Sequence, residues 1–291
     1  MMEAMGGGSA LQFSCGARVE QPNLFGFNHK CKKEPPLQLI NFKDLKLKSS
    51  HRNFKLLLSH GREDSQTPIL QSGNFDASFD GNWLLKTKGK EVASCLGGRS
   101  IYLVGMMGSG KTTVGRILSE ALGYSFIDSD ECVEQAMGGT SVAQIFKQCG
   151  ESLFREYETE ALQKLSMMPQ QVVATGGGAV VRPINWRFMR QGITVFLDVP
   201  LDALARRIAA VGTDSRPLLH FDSGDAYTKA FMRLLTLSKK RSEAYANADA
   251  TVSLLSLAAS LQLEDVLDIT PAAIATEVIV QIGKYLRDNN R

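Results

Sequence analysis

The residues best equipped for chemistry start at Gly105, in the run "GMMGSGKTT" that ends at Thr113. The spacing G-x-x-x-x-G-K-[ST] is that of a backbone loop that cradles phosphate. Gly108 and Gly110 let the chain turn so that the amides from Gly108 through Ser109, Gly110, Lys111, Thr112 and Thr113 can face phosphate oxygens. A helix opened by this loop adds the partial positive charge of its N-terminus. Lys111 has the reach for the β- and γ-phosphates, and Thr112 offers a hydroxyl to Mg²⁺.

A second group of residues suits transfer of the phosphoryl group. Asp128 and Asp130 flank Ser129 in "FIDSD" and read as the end of the second strand, beside the first. On a strand, residues i and i+2 share a face roughly 6.5–7 Å apart, too far to share a proton but close enough to serve one site from two sides. The competing reading makes Asp130 a helix cap. Arg155 in "FREYE" and Arg241 in "KKRSEAY" read, by spacing alone, as helix-surface ion pairs, Arg155 with Glu151 and Glu158. The three glycines of "ATGGGAVV" after the third strand indicate close approach of backbone to something. "GTDSRPLLHFDSGD", 212–225, has the length and polarity of a lid, from which Arg216 could stabilise charge on the transferred group.

These residues need a scaffold, and the apolar runs supply one. Ile101–Val104, Ser125–Ile127, Val172–Ala174, Thr194–Leu197 and Thr251–Leu254 are unalternated and alternate with helical stretches at 111–122, 141–166, 183–190, 201–211 and 225–247. That pattern predicts an α/β fold with a parallel sheet covered on both faces. A final helix starts with Thr270 as N-cap and Pro271 at its first position. Residues 61–98 show little periodicity and read as a linker or variable entry segment.

The chain has 291 residues, 44% hydrophobic, with no uncharged apolar run long enough for a membrane helix. Its net charge of +3 is uneven: residues 1–60 hold nine Lys/Arg against four Asp/Glu, and the rest 24 against 26. A basic leader ahead of a near-neutral body does not suit nucleic-acid binding. Residues 1–60 read as an organellar transit peptide, with Glu3 and Glu20 out of character. Five cysteines without C-x-x-C, and four histidines of which only His220 lies in the body, give no disulfide framework, zinc site or Ser-His-Asp triad.

Taken in order, "GMMGSGKTT", "DSD", "FREYE", "TGGGAV", "SRPLL" and "KKRSEAY" resemble shikimate kinase, over about residues 99–288. With the basic leader, the resemblance is to a plant plastid form, and it places the protein in the chloroplast stroma. It implies a three-layer P-loop kinase fold with a central parallel five-stranded sheet, like the nucleoside monophosphate kinases. It implies ATP and shikimate as partners, Mg²⁺ as cofactor, and no nucleic acid or membrane; it leaves the oligomeric state open. By this resemblance Asp128 holds Mg²⁺ through water, beside Thr112. Asp130 binds the acceptor hydroxyls and assists proton removal, as a catalytic residue with Lys111 and Arg216. Arg155 and Arg241 clamp the acceptor carboxylate, Gly177 offers its N–H, and Arg207, or its neighbour Arg206, lies over adenine. Two rivals stand beside it: a kinase of the same fold with another acceptor such as gluconate, and a non-catalytic nucleotide-binding relative. The presence of Lys111, Asp128, Asp130, Arg155, Arg216 and Arg241 argues for catalysis. Residues 253–269 look longer than in the compact bacterial enzymes.

Overall fold

The five apolar runs form one parallel sheet: β1 (Ile101–Val104), β2 (Ser125–Asp128), β3 (Gln171–Ala174), β4 (Ile193–Asp198) and β5 (Ala250–Ser253). The computed structural model describes residues 77–211 and 225–289. Every residue of β1 and β3 is buried, whichever way it points, so helices cover both faces and no polar alternation is needed. The strand order is β2-β3-β1-β4-β5. β2 therefore pairs with β3, with Asp128 opposite Ala174, and not with β1 as the sequence reading had it. β3 enters between them and brings the glycine run alongside the two acids.

The helices are α1 (Ala77–Leu96), α2 (Lys111–Leu122), α3 (Ser129–Ala136), α4 (Val142–Ser166), α5 (Pro183–Met189), α6 (Leu201–Val211), α7 (Ala226–Tyr245), α8 (Leu254–Ser260) and α9 (Pro271–Asn289). Local signals set their ends. Gly110 stands before α2 at φ +91°, a conformation a side chain would oppose. Ser141 and Gln144 form a reciprocal capping box on α4. Asp225 caps α7 by accepting from the Thr228 amide at 3.0 Å, and Thr270 accepts from the Ala273 amide at 3.2 Å. The long helix read over 141–166 is broken at Gly150, whose φ of +83° and ψ of 168° lie outside helical geometry. Residues 254–268 fold as α8 and a short 3₁₀ turn at Val266–Asp268.

The main core lies around the sheet, from Leu103 and Val195 out to Ile279 and Ile282. A second, smaller core sits between α3 and α4, built from Cys132, Val133, Ile145, Phe154 and Ala161. Cys132 is buried in this core and the half-buried Cys149 packs against it.

Residues 77–96 correct the linker reading of 61–98, because α1 packs against α2 and α9. Its contact face is Leu85, Gly89, Val92 and Leu96, spaced by four, three and four residues. Gly89 hides this periodicity, since a glycine reads as a breaker. It is there because the helices nearly touch: a Cβ on Gly89 would lie 2.6 Å from the Ala121 carbonyl oxygen. Gly89→Val is therefore expected to force α1 off α2 at a cost of about 1–3 kcal/mol. Thermal unfolding should show a midpoint several degrees lower; an unchanged midpoint would mean α1 contributes no stability.

Candidate active site

The phosphate loop and four other segments meet at the C-terminal ends of β1, β2 and β3. Lys111 is buried at the start of α2 and donates from Nζ to the carbonyls of Gly105 and Met106, both at 2.8 Å, and to Ser109 Oγ at 3.3 Å. Burial lowers its pKa to about 8, against the pull of Asp130 and Asp128. The ammonium thus fills the loop it would share with a phosphate. Arg207 reaches the same loop from α6, donating from Nη1 to the Gly108 carbonyl at 3.2 Å. Arg206 is held elsewhere, by Asp202 and by both oxygens of Asp265. This separates the two neighbours: Arg207 is the one that faces the loop.

The segment "DSD" divides into three tasks. The strand stops at Asp128, and Ser129 and Asp130 already belong to α3, so the strand rule for i and i+2 does not apply. Asp128, and not Asp130, is the helix cap: its Oδ1 accepts from the Asp130 amide at 3.0 Å. Its Oδ2 accepts from Thr112 Oγ1 at 2.8 Å, tying the loop helix to β2. Thr112 and Asp128 together present hard oxygen donors beside the phosphate loop, a set that suits a divalent cation such as Mg²⁺. Among the described residues no cluster of three or more His, Cys, Asp or Glu stands ready to hold a metal unaided. An ion here would draw its remaining ligands from phosphate and water. Ser129 is fully buried, and its Oγ accepts from the Gly176 amide at 2.9 Å.

Asp130 points inward from the first turn of α3. The residue is half-buried, yet its Oδ1 is enclosed and has no hydrogen-bond partner. Burial, then the charges of Glu158 and Asp128, push its carboxyl up to about 7, against the pull of Lys111 and Arg155. Such an oxygen is poised to accept a bond from a group that enters the site.

Sequence reasoning missed Glu158. Arg155 forms both expected ion pairs, but they are not alike. Glu158 has no exposure at all, and Arg155 Nη1 donates to its two oxygens at 3.0 and 2.9 Å. Glu151 is 52% exposed and accepts at Oε1 from Nε at 3.3 Å and Nη2 at 3.0 Å. Arg155 itself is only 11% exposed, so the surface reading fails for it. Burial opposes its charge, but Glu158 and then Glu151 raise its pKa above the ordinary value. The i,i+3 spacing is the same for a surface pair and a buried one, so the sequence carries no signal that tells them apart.

The glycine run is packed between these groups. A Cβ on Gly176 would lie 2.5 Å from Asp130 Oδ1 and 2.7 Å from Glu158 Oε1; one on Gly178 would lie 2.1 Å from Arg155 Nη2. The carbonyl of Gly177 accepts from Arg241 Nη1 at 2.8 Å and from the Tyr245 hydroxyl at 3.0 Å. Arg241 is buried, not a surface arginine, and no ion pair to it is among those found in the described residues. Burial and then nearby Arg155 lower its pKa, while Tyr245 raises it. Two arginines, an unpartnered carboxylate and a glycine backbone thus surround one place beside the phosphate loop. Arg216 lies outside the described residues.

A family model described as shikimate kinase matches residues 107–282. The chain belongs to the shikimate kinase family. As a member of that family it is 52% identical over 273 residues to the chloroplastic shikimate kinase of Solanum lycopersicum, covering 92% of this chain and 91% of that one. It is 56% identical over 224 residues to the chloroplastic shikimate kinase 1 of Arabidopsis thaliana, covering 77% and 73%. A solved shikimate kinase from Acinetobacter baumannii, in complex with shikimate, superposes with a TM-score of 0.55 at 33% identity, over 66% of this chain and 97% of that one. The P-loop kinase fold expected from the motifs is the fold found. Helix α1 precedes the stretch that the shikimate kinase model matches.

Two outcomes test the geometry. Gly176→Ala is expected to cut turnover at least about a hundredfold, since its methyl would displace Asp130 or Glu158. A steady-state assay checks this, with circular dichroism to confirm the fold. The second concerns pH. Asp130 has a folded pKa of about 7 against 3.8 for a free carboxyl, so its protonated form favours the folded state. That contribution is complete below the unfolded value and lost as pH rises through about 7. Asp130→Asn is therefore expected to melt above the parent at about pH 8, by a margin that shrinks towards about pH 4. A margin independent of pH would show that Asp130 is not the strained group.

Proposed function

We propose that this chain transfers the γ-phosphoryl group of ATP to the 3-hydroxyl of shikimate, giving shikimate 3-phosphate and ADP. The reaction belongs to chorismate and aromatic amino acid biosynthesis. The observation that carries the reading is the buried, unpartnered Asp130 Oδ1, set between the phosphate loop and two buried arginines in a member of this family. The Acinetobacter relative is described in complex with shikimate, which supports the same acceptor here.

In this reading the loop amides from Gly108 to Thr113 and Lys111 bind the phosphates. Lys111 exchanges its two carbonyl partners for phosphate oxygens. Thr112 and Asp128 hold Mg²⁺, Asp128 through water; the ion supplies charge neutralisation on the phosphates when bound. Arg207 lies along the nucleotide from α6, over adenine. Arg155 and Arg241 clamp the acceptor carboxylate, a task suited to planar, permanently charged forks. The Gly177 N–H meets the acceptor, while its carbonyl keeps Arg241 and Tyr245 in place. Asp130 accepts a hydrogen bond from the attacking hydroxyl and takes its proton as the new O–P bond forms. Arg216, from the segment read as a lid, stabilises charge on the transferred group.

Residues 1–60 act as a transit peptide to the chloroplast, in keeping with the chloroplastic relatives from Solanum lycopersicum and Arabidopsis thaliana.

The test is ADP release by the full chain with saturating Mg-ATP. Release should depend on shikimate, and gluconate should not replace it. Asp130→Asn is expected to lose turnover by about a hundredfold or more while still binding Mg-nucleotide. Asp128→Asn should instead weaken the Mg²⁺ dependence. No shikimate-dependent release, or one identical defect in both variants, would overturn the assignment.

A further inference from the structure

Arg155 has an occupied fork. A guanidinium has five N–H donors. Two are spent on the two oxygens of Glu158 and two, from Nε and Nη2, on Oε1 of Glu151. A carboxylate that binds Arg155 in bidentate fashion must take an edge that one of these acids now holds. Glu158 cannot be the one that leaves. It has no exposure, its Oε1 lies against Gly176, and removing the guanidinium would strand a buried charge. Glu151 can leave at little cost, being 52% exposed. It also follows directly on Gly150, the one residue within α4 with non-helical backbone angles, and so begins the second segment of that helix.

We propose that Glu151 is a placeholder carboxylate: in the free enzyme it occupies the edge of Arg155 to which the acceptor's carboxylate binds, and the acceptor enters by exchanging with it. The inference rests on the reading of Arg155 as a ligand of that carboxylate. Exchange of one carboxylate for another leaves the charge around Arg155 unchanged: Glu158 stays on one edge, and a second carboxylate holds the other before and after binding. It also acts as a filter. An acceptor lacking the carboxylate cannot replace the ion pair it breaks, so it is disfavoured beyond the loss of its own contact. An ordinary surface pair at i,i+4 spacing would have no such bearing on acceptor affinity.

Glu151→Gln and Glu151→Ala, made in the full chain, are the variants to compare, with shikimate KM measured at saturating Mg-ATP and shikimate Kd measured directly. Removing a competing exposed ion pair should lower both by about two- to fivefold. The ATP KM serves as the control. Arg155→Ala should raise the shikimate KM strongly, and in that background Glu151→Gln should have no further effect. An unchanged or raised shikimate Kd in both Glu151 variants, with Arg155→Ala still impaired, would overturn the placeholder and leave the clamp standing. If Arg155→Ala left the shikimate KM unaltered, the clamp would fall and the placeholder with it.

Discussion

A carboxylate with no access to water, Glu158, has to keep its cation, and much of the site follows from that need. An ionised carboxylate in the interior is tolerable only when paired and fully hydrogen-bonded. Both oxygens of Glu158 go to Arg155 Nη1, which locks the guanidinium in one plane. That plane presses on Gly178, and Glu158 itself presses on Gly176. The glycine run after β3 is thus shaped by charges on α4, and its middle carbonyl orients Arg241 from α7. One buried ion pair sets the positions of groups from three separate elements.

The other organising point is Asp128. One carboxylate joins the helix that opens at the phosphate loop, through Thr112, to the start of α3, through the Asp130 amide. Its cap turns the chain within one residue of the strand end, which is how Asp130 comes to face the same place from a helix. The acids are one residue apart in sequence, yet their environments differ: one is engaged at both oxygens, and the other keeps an enclosed oxygen free. Different surroundings are a general means of giving two neighbouring carboxylates different roles.

Local physics was legible in the sequence, and non-local geometry was not. The buried strands showed as unalternated apolar runs, α2 and α6 fell on the helical stretches read at 111–122 and 201–211, and α9 starts where the Thr270-Pro271 capping and proline signal put it. The phosphate loop and the paired acids stood out by their spacing, whereas Arg155 and Arg241 read by spacing as surface ion pairs and were singled out only by the family resemblance. Strand order was missed because pairing of β2 with β3 is settled by packing between residues far apart in the chain, as Ser125 opposite Gln171. The burial of Arg155 and Glu158 was missed because helical spacing gives proximity, not depth. Helix α1 was missed because its closest contact is made by a residue with no side chain.

Helix α1 also bears on how much chain the packed unit needs. It is the seal over one side of α2 and α9, yet it lies ahead of the stretch matched by the family model. A chain cut back to the phosphate loop would keep every motif and leave the α2–α9 flank bare to water. A chain that keeps this flank covered keeps the contact face from Leu85 to Leu96. The N-terminal edge of this packing unit is thus a helix surface that lies upstream of the phosphate loop.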